Sequence, residues 1–337
     1  MDYTVAMQRA IALSEKGLGK TAPNPIVGAV IIDDDGTVIG EGFHDRMKSN
    51  DHAEVVAIAN ATKNLKGATI IVTLEPCNHS GSTGPCTQAI IDAGISTVVF
   101  AVNDPNSVAS GGADRLRSAG IKVVEGVLKE EAAYANRAWL MKIKKNRPFF
   151  TWKVATTLDA KIAATDGTSK WITNETSRAD VQILRRQADA ILVGTNTVIT
   201  DDPHLIPRGD FAGYSHNPIR VICGEQEFPK DAQVFDSAAQ TVVVKSKDLD
   251  LLVEKLNELE INQVFVEAGM TLASAMVDHC LMDELVIYQA PTLLGSGKPF
   301  FTLNFPSTIS NQMRLDHIST VVLEGDVKSV YRIRNGE

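Results

Sequence analysis

Hydrophobic positions along the first half of the chain change period repeatedly. Residues 5–18 carry apolar side chains at helical spacing, whereas residues 28–32 form a short continuous apolar run. The first pattern predicts an amphipathic helix and the second a buried strand. The run Asp33-Asp34-Asp35-Gly36 is turn chemistry, and residues 37–39 return as a second strand to close a hairpin. A short helix is expected over residues 53–61 and a central strand over 69–74. Residues 86–93 read as a helix stopped by Gly94, a residue suited to the left-handed position after a helix end. A strand over 97–102, a helix over 113–119 closed by Gly120 and a strand over 121–124 follow. Alternation of this kind implies a three-layer α/β domain.

Lys142, Lys144, Lys145 and Arg147 then precede Pro148. Proline disfavours helix in the residue before it, and cations suit the carboxyl end of a helix. The stretch reads as a solvated helix end, and the domain boundary is expected near Asn146. The second half again mixes the two periods. Strands are predicted at 149–155, 190–193, 219–222, 241–244, 264–266, 284–290, 321–323 and 330–333. Helices are predicted at 175–187, 249–259 and 271–278. The polar, Gly-containing segment 209–217 reads as a loop. Two α/β domains, 1–146 and 147–337, are therefore expected. A chain of 337 residues also exceeds the roughly 250–300 at which a single core stops growing. No internal repeat or low-complexity segment is evident.

Composition narrows the class. Apolar residues make up 44% and charged residues 22%, ordinary for a soluble globular protein. No apolar run approaches the ~20 residues that cross a bilayer. The start Met1-Asp2-Tyr3-Thr4 lacks a signal-peptide pattern. A cytoplasmic enzyme with no membrane partner is expected. Residues 1–146 carry 15 basic and 16 acidic side chains, and residues 147–337 carry 18 and 25. Neither half is a basic platform, which argues against a nucleic-acid partner. The four Cys do not form a disulfide framework. Cys223 and Cys280, set among apolar residues, read as buried free thiols. The chain leaves a homo-oligomer open.

The chemistry is concentrated in His52-Ala53-Glu54, Glu75-Pro76-Cys77 and Pro85-Cys86. One imidazole and two thiolates can hold a zinc ion and leave a fourth position for water. Glu54 can then act as the proton shuttle to the leaving ammonia. This is the donor set of a catalytic nucleobase-deaminase site. The rival reading is a structural zinc clip. It wants a fourth protein ligand, which His79 could supply, but it leaves Glu54 without a task.

Nucleobase deaminases usually separate their two Cys by two residues. Here eight intervene, and this long form resembles the pyrimidine deaminase of riboflavin biosynthesis. Thr21-Ala22-Pro23-Asn24-Pro25-Ile26-Val27-Gly28, Gly42-Phe43-His44, Thr73-Leu74-Glu75-Pro76-Cys77 and Asn103-Asp104-Pro105-Asn106 carry the resemblance in order. It implies a cytidine-deaminase-like fold, pyrimidine-nucleotide contacts from Asn24, His44 and His79, and Asn103 nearby. One departure is Ser82, where that family carries Arg or Lys.

The second half resembles the reductase fused to this deaminase in bacteria, which implies a dihydrofolate-reductase-like fold. The matching residues are Lys153 with Thr157-Leu158-Asp159, Ser169-Lys170-Trp171-Ile172-Thr173, Ile191-Leu192-Val193-Gly194, Thr200-Asp201-Asp202-Pro203-His204-Leu205, Val266-Glu267-Ala268-Gly269 and Ala290-Pro291-Thr292-Leu293-Leu294-Gly295. The resemblance implies NADPH contacts from Ala155, Trp171, Thr197, Asp201, Gly269, Met270, Thr271, Leu272, Ala273, Ser274 and Ala275. It implies substrate contacts from Lys153, Ser169, Arg185, Leu205, Arg208 and Glu267. Arg185 and Arg208 are expected to clamp a phosphate. No Gly-x-Gly-x-x-Gly follows a strand, so a Rossmann site is not indicated. Gly295-Ser296-Gly297-Lys298 reads as a turn rather than a phosphate loop. Ala160 stands where the family has Gly, and Cys223-Gly224 where it has Asp.

The function expected is thus bifunctional: zinc-dependent deamination of a pyrimidine nucleotide, then NADPH-dependent reduction of its ribosyl chain. The alternatives are a deaminase whose reductase half is degenerate, a nucleoside or tRNA deaminase, and a zinc-stapled binding module.

Overall fold

The structure, a computed structural model, describes residues 2–79, 84–106, 111–209, 216–302 and 308–334. Ser82 and most of the 209–217 loop lie outside these residues. The chain divides into two compact units, Met1–Asn146 and Arg147–Glu337. Among the described residues, no helix is long and apolar enough to cross a membrane.

The first unit runs α1 (Thr4–Glu15), β1 (Gly28–Ile32), β2 (Val38–Phe43), α2 (Ala53–Ala59), β3 (Thr69–Leu74), α3 (Cys86–Asp92), β4 (Thr97–Val102), α4 (Gly112–Ser118), β5 (Lys122–Glu125), α5 (Lys129–Ala135) and α6 (Arg137–Lys145). Its sheet has the order β2-β1-β3-β4-β5. β1 is antiparallel to β2 and β3, whereas β3, β4 and β5 are parallel. Helices cover both faces. Ala29, Ile31, Ile70, Val72, Val98 and Phe100 pack with Ala53 and Ala57 of α2, Ile90 of α3 and Leu116 of α4. Val30, Ile71, Val99 and Ala101 face the other way, toward Met7 and Ala10 of α1, Ala132 of α5 and Trp139 of α6. Burial on two faces is why these strands read as continuous apolar runs rather than alternating ones. The three layers are those expected from the sequence.

Two glycines set the close packing around the site. A Cβ on Gly42 would lie 2.4 Å from the Ala53 carbonyl oxygen and 2.5 Å from the Ala57 nitrogen. Only a bare backbone at β2 therefore lets α2 dock so near the sheet. A Cβ on Gly112 would lie 1.9 Å from the Pro76 carbonyl oxygen, so α4 starts directly against the loop that carries Cys77.

The second unit runs β6 (Phe149–Thr157), β7 (Lys161–Ala163), α7 (Glu175–Gln187), β8 (Ala190–Gly194), α8 (Thr195–Asp201), β9 (Ile219–Cys223), β10 (Thr241–Val244), α9 (Leu249–Glu258), β11 (Gln263–Val266), α10 (Met270–Asp278), β12 (Glu284–Ala290), β13 (Lys298–Pro299), β14 (Leu315–Leu323) and β15 (Asp326–Ile333). Eight strands form one sheet in the order β10-β9-β8-β11-β6-β12-β15-β14. The first six are parallel, and β15 and β14 extend the sheet antiparallel. One face packs Phe150, Trp152, Leu192 and Val264 on α9 and α10 through Leu252, Leu256 and Met276. The other packs Ile191, Val193, Ile222, Phe265 and Tyr288 on α7 and α8 through Val181 and Val198.

Two sequence expectations change. Thr195–Asp201 is a helix that the apolar pattern does not announce. Its Thr and β-branched residues have low helix propensity, and burial of Thr195 and Val198 against the sheet overrides it. Cys223 is buried, but Cys280 is exposed. Cys280 sits beyond the end of α10 at a left-handed φ of 53°, which turns it away from the core.

Candidate active sites

Cys77 follows β3, Cys86 opens α3, and His52 is the residue before α2. The three meet: His52 Nδ1 lies 3.2 Å from Cys86 Sγ and 3.5 Å from Cys77 Sγ. All three ligand atoms fall within 4.8 Å of one another. The Cys86 backbone N–H donates to Cys77 Sγ at 3.5 Å. His79 does not join this group among the described residues, so the closed four-ligand clip is not formed. His79 Nδ1 is buried without a hydrogen bond.

The titration behaviour fits a cation. The hydrogen bond from the Cys86 thiol holds Cys77 down at about 4, against the opposing effect of burial and with further help from His52. The same contact with Cys77, with burial and Glu54 added, drives Cys86 far up. Two sulfurs at this range cannot both ionise unless a cation joins them. Two soft thiolates and an imidazole are a zinc donor set. Glu54, in the first turn of α2, is 3% exposed. Burial pushes its carboxyl up to about 7, with His52 opposing and Cys77 assisting.

Beside the trio stands a pair of polar side chains in contact, His44 and Asn24. His44 is buried, with Nδ1 2.9 Å from the Asp51 carbonyl oxygen and Nε2 3.2 Å from Asn24 Nδ2. A carbonyl only accepts, so Nδ1 carries the proton and Nε2 accepts from the Asn24 amide. Burial, the largest influence on this ring, lowers its pKa and keeps it neutral. The His44 and His52 rings meet edge to face at 5.5 Å. Asn103, by contrast, is exposed and donates to Glu125 Oε2 at 3.3 Å.

Sequence reasoning missed the group that frames this pocket. Glu75 is 7% exposed and accepts from the Ala113 N–H at 2.9 Å and the Asp104 N–H at 3.2 Å. It ties the loop after β4 to the start of α4. Glu75 was visible only as part of a motif, because its partners are backbone groups with no sequence signature.

In the second unit the candidate residues gather at the carboxyl ends of the parallel strands, where open α/β sheets bind ligands. Arg185, in the last turn of α7, donates Nη2 to Glu267 Oε2 at 2.7 Å and Nε to Oε1 at 3.2 Å. Its Nη1 donates to the Ile206 carbonyl at 3.2 Å. The fork of Arg185 is thus occupied by a carboxylate. Burial raises the pKa of Glu267, but Arg185, Lys153 and Arg208 outweigh it and hold the group low. Burial lowers the pKa of Lys153 on β6, with Glu267 opposing. Arg208 is exposed and also feels Arg185 and Glu267.

Three of the expected contact residues have inward side chains. That of Leu205 is 2% exposed and packs in the core with Val181 and Val198, so any ligand contact there would come from its backbone. Ala273 is fully buried, and the Ser274 hydroxyl accepts from the Thr302 N–H. Helical geometry turns both inward. Of the 269–275 segment, Gly269, at the start of α10, and Thr271 are exposed, and Met270, Leu272 and Ala275 are half-buried. Ala155 and Thr197 are half-buried, and Ser169 and Asp201 exposed. Trp171 is 66% exposed, with the Arg178 guanidinium 4.7 Å from its ring centre. Open backbone N–H groups at the start of α10 and an exposed aromatic face suit a dinucleotide.

Asp159 lies in the turn between β6 and β7. Its carboxylate accepts from the Leu294 N–H at 3.1 Å, the Gly295 N–H at 2.7 Å and the Thr157 hydroxyl at 2.6 Å. The Thr157 hydrogen bond leads in holding it down at about 2.

Family models match both halves. Residues 2–102 match the cytidine and deoxycytidylate deaminase zinc-binding region, and residues 148–327 match the RibD C-terminal domain. The chain is 43% identical over 311 residues to riboflavin biosynthesis protein RibD of Mycobacterium tuberculosis, covering 92% of this chain and 91% of that protein. It is 38% identical over 324 residues to the Escherichia coli RibD, covering 86% and 88%. A Thermotoga maritima crystal structure, a diaminohydroxyphosphoribosylaminopyrimidine deaminase/5-amino-6-(5-phosphoribosylamino)uracil reductase, superposes with a TM-score of 0.88 at 36% identity, covering 98% of each chain. Acinetobacter baumannii RibD gives 0.88 at 35% identity, again over 98% of each.

Proposed function

The chain belongs to the RibD family of riboflavin-biosynthesis proteins, and from that premise we propose how its two units divide the work. It is a bifunctional enzyme, a deaminase and a reductase. Residues 1–146 hydrolytically deaminate 2,5-diamino-6-ribosylamino-4(3H)-pyrimidinone 5′-phosphate. Residues 147–337 reduce the ribosyl chain of the product to ribityl with NADPH. The setting is cytoplasmic, and the partner is this small nucleotide.

His52, Cys77 and Cys86 would hold zinc, which would supply a water acidic enough to serve as nucleophile near neutral pH. Glu54 is placed to accept a proton and to deliver one to the departing ammonia. Its burial beside the three ligands supports a carboxyl able to exchange protons near neutrality. Asn24 and neutral His44 hold the pyrimidine, each fixing the other. His79 and Asn103 border the same site.

In the second unit NADPH would supply the hydride. The first turn of α10, Thr197, Asp201 and Ala155 line its groove, and Trp171 offers an aromatic face. Lys153, Ser169 and Arg208 bind the substrate. Arg185 is a positioning residue, holding Glu267 in place through its bidentate pair. The observation that carries the whole reading is the meeting of His52, Cys77 and Cys86 with Glu54 buried beside them. A coupled assay tests it: ammonia release from the diaminopyrimidine nucleotide, with substrate-dependent NADPH oxidation after it. Ammonia without NADPH consumption would remove the second activity, and neither signal would remove both.

A further inference from the structure

The nucleotide read for the first unit carries a phosphate dianion, which calls for a cationic donor at the mouth of the site. Residues 78–85, between the two cysteines, contain no Lys or Arg. Cations stand instead on the connection between β2 and α2. Arg46 follows His44 by two residues, and its Nη1 donates to the Ala22 carbonyl at 2.7 Å. Ala22 in turn precedes Asn24 by two residues, and Asn24 touches His44 at 3.2 Å. Arg46 is thus pinned through both of its neighbouring segments to the pair that meets the pyrimidine. It remains exposed.

A buried charge supports this rim. Asp45 is 7% exposed, and neither of its carboxylate oxygens accepts a hydrogen bond. Lys20 Nζ and Lys48 Nζ lie 3.7 and 3.8 Å from it. A carboxylate withdrawn from water in this way is sustained by neighbouring cations. It therefore keeps two ammonium groups at the residue that precedes Arg46 in the chain. Asp51, the other acid on this connection, accepts the Ser49 hydroxyl at 2.7 Å. On the connection itself Arg46 and Lys48 balance Asp45 and Asp51, and Lys20, from the segment between α1 and β1, adds the third positive charge.

We propose that Arg46 recognises the 5′-phosphate of the deaminase substrate, with Lys20 and Lys48 adding to the field and Asp45 positioning them. The proposal rests on reading this unit as a nucleotide deaminase. A guanidinium anchored at one nitrogen keeps its remaining donors in a fork that suits phosphate oxygens.

The test uses the full-length, zinc-loaded chain and two substrates, the 5′-phosphate and its dephosphorylated riboside. Arg46→Gln retains an amide donor for the Ala22 carbonyl but no charge. Its preference for the phosphate, as a ratio of kcat/KM values, should fall by roughly tenfold to a hundredfold, the scale of one charged hydrogen bond. The loss should appear in KM, as expected when binding common to ground and transition state is removed. Arg46→Lys should restore part of the ratio. Zinc content and the thermal transition should match the wild type. An unchanged ratio would overturn the proposal. So would equal losses on both substrates, which would make Arg46 a mere tether for Ala22. If the wild type releases ammonia from neither substrate, the deaminase reading itself fails. If it is active, only the assignment of Arg46 is at stake.

Discussion

The two candidate sites differ in how they are built. The first is a tight knot in which His52 and the two cysteines lie 3.2–3.5 Å apart, set by the entries to two helices and one strand end. The second is spread along the carboxyl ends of parallel strands, and its charged group is closed on itself. Arg185 spends its fork on Glu267, and Lys153 feels both. A knot of ligands dictates its chemistry. A site made largely of backbone and shape admits a cofactor without advertising it. The first unit should therefore fail sharply when one side chain changes, whereas the second should respond mainly through packing and charge balance.

The largest effect is expected at Glu54. Glu54→Gln should keep zinc at wild-type content while ammonia release falls by about 10²–10⁴-fold, the usual contribution of a positioned acid–base group. NADPH oxidation with already deaminated substrate should be unchanged. An active variant would remove Glu54 from proton transfer and blur the contrast between the sites.

Glu267 probes the second site. Both partners of its pair with Arg185 are nearly buried, at 10% and 12% side-chain exposure. Glu267→Ala should destabilise the second unit by about 3–5 kcal/mol, the cost of leaving a buried charge unpaired. Denaturant unfolding would read this, and ammonia release measured under native conditions should persist. Stability unaffected by the change would mean that Arg185 finds another partner or water.

Asp189 gives the second unit a pH dependence of its own. It is buried, and its carboxylate accepts from the Asn262 and Gln263 N–H groups at 3.0 and 2.9 Å. Burial nevertheless pushes it up to about 6 from 3.8. The native state then holds more protons than the unfolded state between these values, so stability falls as pH rises from 4 to 6. The loss should be about 2–3 kcal/mol. Asp189→Asn should remove that slope, which unfolding curves at several pH values would reveal. A slope that persists would assign the effect elsewhere.

The smallest effect is expected at Ala160, whose φ of 62° is a left-handed conformation suited to glycine. Ala160→Gly should stabilise the second unit by about 0.5–1 kcal/mol, the relief of the strained backbone less the added freedom of the unfolded chain. A lower thermal transition would contradict it.

The same contrast explains what could be read from the chain. Strands such as Thr69–Leu74 and Glu284–Ala290 are legible because burial on both faces demands an unbroken apolar run. The zinc trio is legible because few residue types bind a soft metal, and the adjoining Pro and Glu fix their setting. Helix Thr195–Asp201 is hidden, since its propensity points away from helix and only packing decides. A motif position does not say which way a side chain faces, and those of Leu205 and Ala273 face the core. Glu75 and Asp159 escape because they bind backbone N–H groups, whose positions only the fold supplies.

The division of labour itself is tested most directly by removing the metal. The full-length chain would be treated with a chelator and assayed for ammonia release and, with deaminated nucleotide, for NADPH oxidation. Zinc would then be restored. The account predicts that ammonia release vanishes and returns with zinc, while NADPH oxidation continues throughout. Ammonia release that survives complete loss of zinc, or NADPH oxidation that disappears with it, would contradict the account.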